Sequence, residues 1–363
     1  MLNFSTLLAK DDRLLMLPRL FAPAVPRQQD RGTPSLRRVT VAGAGAWGTA
    51  LAIAFARAGI EVRLWGRSAE KVRQMAAAGR NLDALPDTEF PDGLEAVSDL
   101  ETAAAESDAV FLAVPSSAIR ETAARISAHI ADNTPVVSCA KGLDPETGDL
   151  LTDVIAAEIP NAAPMVLSGP SFASEVADGH PTTVVVAGMD ALTKEIAEQL
   201  SSNGFLITQN EDVIGVQVAG VMKNVIAVAC GIADGLGSGS NTRAGILARG
   251  LEEAAELAAR LGGDKTTLLG AAGAGDLALT CTDPQSRNYS LGYKIATGDE
   301  ASGSTFEGAA NAERVLALSE KLGLEAPVTR VVVAVLKAEC SPDQLITRLF
   351  AVPETAKANH VAI

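Results

Sequence analysis

Val39-Thr-Val-Ala-Gly43-Ala-Gly45-Ala-Trp47-Gly48-Thr-Ala-Leu-Ala-Ile-Ala-Phe-Ala-Arg-Ala-Gly59 runs from a short apolar strand, through a glycine-rich turn, into an Ala-rich helix. A bare G-x-G-x-x-G pattern is a weak signal, but a strand before it and a helix after it make it a dinucleotide-binding signature. Gly43 permits the tight turn out of the strand, and Gly45 lets the backbone approach a pyrophosphate. Gly48 lets the helix pack close to the sheet, and the helix N-terminus offers unpaired N–H groups to the anion.

Outward from this unit, strands and helices alternate. Glu61–Trp65 reads as a second strand and Ala69–Ala78 as a helix. Buried strands are predicted at 108–114, 134–139, 165–168, 182–187 and 205–208, with a helix over 191–200. Alternation of this kind indicates an α/β, doubly wound sheet with parallel core strands. Beyond about Glu211 strand signals fade, and long Ala-rich helical patterns take over at 213–232 and 245–261. Shorter helical patterns follow at 311–322 and 329–337. The expected organisation is therefore a dinucleotide-binding domain over 37–210, an all-helical domain over 211–340 and a tail over 341–363. Residues 1–36 carry four prolines and several arginines, and their apolar patch Leu14–Leu17 is cut short by Pro18 and Arg19. That composition suits a disordered extension; Asp11, Asp12 and Asp30 weigh against an organelle presequence.

The 363 residues suffice for two domains and a large core, and 47% are hydrophobic but only 4% aromatic. A net charge of −14 argues against nucleic acid or an anionic membrane surface as partner. No uninterrupted apolar run reaches the roughly 18 residues of a spanning helix. A small anionic substrate remains compatible with local Lys and Arg. Cys139, Cys230, Cys281 and Cys340 are widely spaced without a C-x-x-C pair, so neither a metal site nor a disulfide framework is implied. Reduced thiols of a cytoplasmic protein are the simpler reading.

Cofactor choice is written at the end of the second strand. A site selective for NAD places an acid about 20 residues past the glycines, to hold the ribose 2′-hydroxyl. Here the segment is Trp65-Gly66-Arg67-Ser68, and Arg67 suits a 2′-phosphate by charge and planar geometry. NADPH is therefore the expected cofactor, with NADH tolerated. Lys141 follows directly on a strand C-terminus, the edge where open α/β sheets bind ligands. Ser168-Gly169-Pro-Ser171-Phe-Ala173 is a tight turn after another strand. Within the long helix, Val221-Met-Lys223-Asn224 sets a Lys among apolar neighbours, where desolvation lowers its pKa and suits it to proton transfer. In Gly275-Asp276-Leu-Ala-Leu-Thr280-Cys, Asp276 can hold that ammonium. Ser286-Arg287-Asn288 forms a donor-rich cluster fitted to a phosphate. Histidine is not needed for this chemistry, and His180 reads as structural.

Taken together these five ordered motifs resemble the bacterial type of NAD(P)-dependent glycerol-3-phosphate dehydrogenase, over about residues 37–338. The resemblance implies a Rossmann domain followed by a helical domain like that of 6-phosphogluconate dehydrogenase. It also implies interconversion of dihydroxyacetone phosphate and sn-glycerol 3-phosphate in the cytoplasm, supplying phospholipid synthesis. By matching position, Lys223 takes the proton-transfer role. Lys141, Gly169, Ser171, Lys223, Asp276, Ser286, Arg287 and Asn288 match substrate contacts. Gly43, Gly45, Trp47, Gly48, Arg67, Lys141, Ala173, Arg287 and Glu307 match cofactor contacts. Three positions depart from the pattern: Ala46 replaces a Ser, Thr305 an aliphatic residue, and Gly308-Ala-Ala-Asn311 the usual Gly-Val-x-Thr. Two other functions share the outline, namely a lysine-using dehydrogenase of 3-hydroxy acids or sugar acids and an inactive NADPH-binding sensor. The sequence leaves the oligomeric state open, a homodimer among the options.

Replacing the cation that fits a 2′-phosphate by an acid that repels it tests the cofactor reading. Arg67→Asp should shift the ratio of catalytic efficiencies from NADPH toward NADH, and an unchanged ratio in steady-state kinetics would make Arg67 an ordinary surface residue.

Overall fold

The quoted strand is β1 (Arg38–Ala42), and the helix after the glycine turn is Ala46–Arg57. The computed structural model describes residues 36–299 and 307–351, without the side chains of Asp190 and Glu307. Of residues 1–36, expected to be a disordered extension, 1–35 lie outside that description, whereas Leu36 is buried in the core and donates its amide to Gln199 at 3.0 Å. After β1 come β2 (Glu61–Trp65), a hairpin of β3 (Arg80–Asn81) and β4 (Leu85–Glu89), and β5 (Leu94–Val97). The remaining strands are β6 (Ala109–Leu112), β7 (Pro135–Ser138), β8 (Ala163–Ser168), β9 (Thr182–Ala187) and β10 (Phe205–Asn210). The main sheet has the order β10-β9-β8-β7-β6-β1-β2-β5. All neighbours are parallel except β8 and β9, so the last two strands run against the rest. The chain moves outward from β1 to β2 and β5, then returns to β6 on the other side of β1. That reversal opens a crevice beyond the C-terminal end of β1, which is where the glycine turn stands.

Local chemistry explains why the sequence periods were readable. The helix Ala69–Ala78 begins at Ser68, whose hydroxyl accepts from the Lys71 amide, and ends at Gly79 in the left-handed region. The strands of the sheet centre are apolar on both faces and bury one core on each side; Phe55 and Phe111 meet in one of them as tilted rings with centroids 4.7 Å apart. β3, β4 and β5 do not follow from the sequence. Leu85-Pro-Asp-Thr-Glu89 is polar and β5 is an edge strand, so neither shows an apolar period.

From residue 213 the described chain is helical. Asp212 caps the 23-residue helix Val213–Gly235, accepting from the Gly215 amide at 2.8 Å. This helix is apolar nearly all round because helices pack on most of it and strands β8 and β9 meet its N-terminal part. By length and composition it could cross a membrane, although Gln217, Lys223 and Asn224 interrupt its apolar run. Yet 89% of its most apolar window is buried inside the fold, as in a core helix. Glycines set the closest packing: a Cβ on Gly292 would fall 2.0 Å from the Val228 carbonyl oxygen, so the helix Arg287–Thr297 touches the central helix backbone to backbone. The segment expected to be a tail contains the helix Pro342–Leu349, closed by a capping box between Ser341 and Gln344. Its Leu345 and Leu349 join the helical core. At eight residues this helix is too short for the four-residue spacing of Leu345 and Leu349 to stand out in the sequence.

Glu253, buried on the helix Ser240–Arg260, caps a second helix, Pro327–Leu336, across the core. It accepts from the Val328 amide at 2.8 Å, the Thr329 amide at 3.2 Å and the Thr329 hydroxyl. Stranding such buried donors typically costs about 1–3 kcal/mol. Glu253→Ala should lose stability in that range in denaturant melts while Glu253→Gln, which keeps an acceptor, retains most of it; equal losses would show that the cap is not what Glu253 contributes.

Candidate active site

The glycine turn fits a pyrophosphate on steric grounds. Gly43 has φ 125°, and a Cβ there would lie 2.6 Å from the Ala113 carbonyl oxygen. A Cβ on Gly48 would fall 1.8 Å from the Gly43 carbonyl oxygen, so the helix can approach only without one. Around Gly45 nothing lies within 4 Å of that position, which leaves room for a ligand against the backbone. The helix Ala46–Arg57 starts with no side-chain cap and no acid in its first turn, so its first amides are available to an anion. The Trp47 indole N–H is buried without a protein partner. Arg67 stands exposed just past β2, with no ion pair or hydrogen bond among the described residues. These features accommodate a dinucleotide. Ala173 opens the helix Ala173–Asp178 and, like Trp47, packs against the core that contains Phe55 and Phe111. Glu307 opens the helix Glu307–Lys321, but its side chain, like all of Thr305, lies outside the described residues.

A three-residue ion cluster forms where the sheet meets the helices. Lys141 extends from the loop after β7, Lys223 from the middle of the central helix and Asp276 from the start of the helix Asp276–Thr282. Asp276 is fully buried and splits its oxygens between them: Lys223 Nζ donates to Oδ1 and Lys141 Nζ to Oδ2, both at 2.6 Å. Lys223 also donates to the Thr280 hydroxyl at 3.0 Å, and Lys141 to the Gly169 carbonyl at 3.2 Å. An ammonium has three donors, so each lysine keeps one more for a ligand. With two cations and one anion, the cluster carries a net positive charge suited to an anionic or polarised substrate.

The backbone around these groups is shaped to deliver them. A π-helical stretch, Ala271–Gly275, immediately precedes Asp276, a distortion that often marks functional sites. Within it, a Cβ on Gly273 would collide with the Leu268 carbonyl at 2.0 Å. Gly169 has φ 140° and lies against Val184; its carbonyl also accepts from the Ser171 hydroxyl at 3.0 Å. Gly220 on the central helix brings Lys141 and Ser168 close, at 3.4 and 3.1 Å from a notional Cβ.

Electrostatics follow from burial. Desolvation lowers the Lys223 pKa to about 8, working against the stabilising charge of Asp276 and with the repulsion of Lys141. For Asp276, burial favours the neutral acid, but the two ammonium groups outweigh it and hold its pKa below the ordinary carboxylate value.

The structure thus gathers Lys141, Gly169, Ser171, Lys223 and Asp276. The predicted phosphate cluster divides its work differently. Ser286 and Asn288 are buried and internally engaged: Ser286 caps its helix through the Tyr289 amide at 3.3 Å, and Asn288 accepts from the Gly308 amide at 2.9 Å. Arg287 between them is exposed, with no protein partner among the described residues. Thr280 belongs to the site but was not singled out from sequence; its spacing of four from Asp276 on one helix is the signal that places both hydroxyl and carboxylate at Lys223. Asn311, a departure from the usual pattern, accepts from the Leu143 amide at 3.0 Å and ties the Glu307–Lys321 helix to the loop carrying Lys141.

Comparison with known proteins adds an independent observation. Residues 38–193 match the family model described as the NAD-dependent glycerol-3-phosphate dehydrogenase N-terminus, and residues 212–347 match its C-terminus. The second match runs past residue 338, so the helix Pro342–Leu349 has a family counterpart. A glycerol-3-phosphate dehydrogenase (NAD(P)+) of Nitrosococcus oceani is 43% identical over 317 residues, covering 85% of this chain and 92% of the relative. One from Azorhizobium caulinodans is 43% identical over 324 residues, covering 88% and 98%. A crystal structure of glycerol-3-phosphate dehydrogenase from Coxiella burnetii superposes with TM-score 0.83 at 38% identity, covering 87% of this chain and 99% of that one.

The lysine environment can be read directly. Nuclear magnetic resonance of side-chain-labelled lysine should place the Lys223 midpoint near about 8. Asp276→Asn should move it lower, because the carboxylate is the main group favouring the charged form. A midpoint that does not move in the variant would mean that Asp276 does not set the charge state of Lys223.

Proposed function

This chain belongs to the NAD-dependent glycerol-3-phosphate dehydrogenase family and reduces dihydroxyacetone phosphate to sn-glycerol 3-phosphate with NAD(P)H, a premise from which we propose that Lys223 moves the proton. The observation that carries this assignment is the geometry of its ammonium. Two of its three donors are committed to Asp276 and Thr280, which leaves one for the substrate oxygen.

A nicotinamide cofactor held at the glycine turn would supply hydride to the ketone carbon. Lys223 donates its remaining N–H to the ketone oxygen, stabilises the negative charge developing there and transfers the proton. A pKa of about 8 leaves it largely charged near neutrality yet acidic enough to give that proton up. In the oxidative direction the neutral amine takes the proton back from the alcohol. Asp276 never needs to leave its two lysines: it fixes their positions, and Lys141 keeps the buried carboxylate paired after Lys223 has become neutral. Arg287, exposed and uncommitted, reads the substrate phosphate, with the remaining donor of Lys141 beside the reacting end. Anchoring the phosphate orients the reacting carbon of a three-carbon substrate, so binding energy from the far end assists the chemistry. Ser286 and Asn288 act by setting the position of Arg287.

Gly43, Gly45, Trp47 and Gly48 hold the pyrophosphate in this reading, and Arg67 confers the preference for NADPH. The product supplies the glycerol backbone of phospholipids. The family likeness supports a cytoplasmic setting, as do four cysteines that are all free and buried.

Lys223→Met preserves length and apolar packing but removes the ammonium. Cofactor binding should survive while turnover falls by about 10²- to 10⁴-fold, the usual loss with a general acid. In the wild type, kcat/KM for ketone reduction should fall as pH rises through about 8, because the donor must be protonated, while that for alcohol oxidation rises. Retention of more than about a third of wild-type turnover in the variant would remove Lys223 from the proton-transfer role.

A further inference from the structure

We propose that Asn81 is a positioning residue of the pyrophosphate cradle, holding the Ala44 carbonyl so that the next amide, Gly45 N–H, faces the cofactor. Asn81 lies on β3, in the small hairpin inserted between the helix Ala69–Ala78 and β5, far along the chain from the glycine turn. Its side chain is 3% exposed. Nδ2 donates to the Ala44 carbonyl at 3.0 Å and to the Thr49 hydroxyl at 2.9 Å. Its Oδ1 accepts from the Ala84 amide within the hairpin at 3.3 Å.

The distribution of these bonds is informative. The hairpin is held by surface pairs, Arg80 with Glu89 inside it and Asp83 with Lys71 of the preceding helix, and it uses only the oxygen of the buried amide. Both Nδ2 hydrogens leave the hairpin and end on the glycine turn and the first helical turn. In a trans peptide the carbonyl and the following N–H point in opposite directions. Drawing the Ala44 oxygen toward Asn81 therefore turns the Gly45 N–H away from it. Gly45 is also the residue with open space at its Cα, and its own carbonyl accepts the first helical bond, from the Thr49 amide at 2.9 Å. Asn81 thus fixes the peptide before Gly45 directly and the helical turn after it through Thr49. A glycine-rich turn has many accessible conformations, and an anion site made of backbone amides works only if one of them is selected beforehand.

This inference rests on the reading of Gly43–Gly48 as the pyrophosphate cradle, and the test separates the two. Dissociation constants for NADPH and for adenosine 2′-phosphate, which lacks the pyrophosphate, are measured by calorimetry on the wild type, Asn81→Leu and Gly45→Val. Asn81→Leu keeps the volume and removes the donors; it should weaken NADPH about five- to tenfold, the effect of one lost orienting hydrogen bond, and leave adenosine 2′-phosphate unchanged. If Asn81→Leu does not fold, Asn81→Ser carries the same comparison. Unchanged NADPH binding, or equal weakening of both ligands, overturns the proposal, the latter because it reduces Asn81 to a support of the hairpin. Gly45→Val fills the open space without meeting protein. Unchanged NADPH binding in that variant would overturn the cradle itself, whereas weakening there with none in Asn81→Leu would overturn only the role of Asn81.

Discussion

The carboxylate of Asp276, with one ammonium on each oxygen, is the interaction on which the chemistry of this protein depends. Lys141 arrives on it from the edge of the sheet and Lys223 from the middle of the central helix. Burying three charges is expensive, and removal of one partner from such a cluster typically costs about 3–5 kcal/mol, because the others are left unpaired. The same expense is what makes the cluster useful. Desolvation brings the Lys223 pKa down to about 8, and the carboxylate prevents it from falling further. A free lysine would be too weak an acid, and a buried lysine without Asp276 would give up its proton more readily still.

Delivering three charged groups to one buried point requires close backbone contacts, and small residues supply them. Gly220 lets Lys141 and Ser168 reach the central helix; Gly273 lets the π-helical stretch turn Asp276 inward; Gly292 lets a flanking helix seat against Val228. In each place an added Cβ would meet a neighbour within ordinary contact distance or closer. The abundance of Ala and Gly, and the scarcity of aromatic residues, are therefore consequences of an architecture in which helices approach to within backbone contact. Only a few large rings, such as Phe55 and Phe111, fill the space between sheet and helix.

The central helix shows how composition alone misleads. Val213–Gly235 has the length and apolarity of a membrane-crossing segment, yet its surroundings in the fold are protein. Lys223 is the buried cation within it, and its position is tolerable only because Asp276 and Thr280 meet it there. The hairpin of β3 and β4 shows the converse. It is polar and carries no periodic pattern, yet it brings a buried asparagine to the glycine turn.

The sequence by itself determined the glycine turn between β1 and its helix, the alternation that builds a doubly wound sheet, and the succession of apolar helices after residue 211. Each depends on neighbours a few residues apart, through strand or helix period, caps such as Ser68 with Gly79, and steric room at Gly43 and Gly48. It also singled out Lys141, Lys223, Asp276 and Arg287, because charged residues at strand ends or among apolar neighbours stand out in one dimension. Tertiary structure alone decided that Asp276 bridges both lysines, that Ser286 and Asn288 face inward while Arg287 stays uncommitted, that β9 and β10 reverse, and that Pro342–Leu349 packs on the core. Those outcomes depend on which elements meet in space, as when Asp276 meets lysines 53 and 135 residues away. Meeting is governed by packing and by the cost of leaving buried charges unpaired, neither of which has a period along the chain.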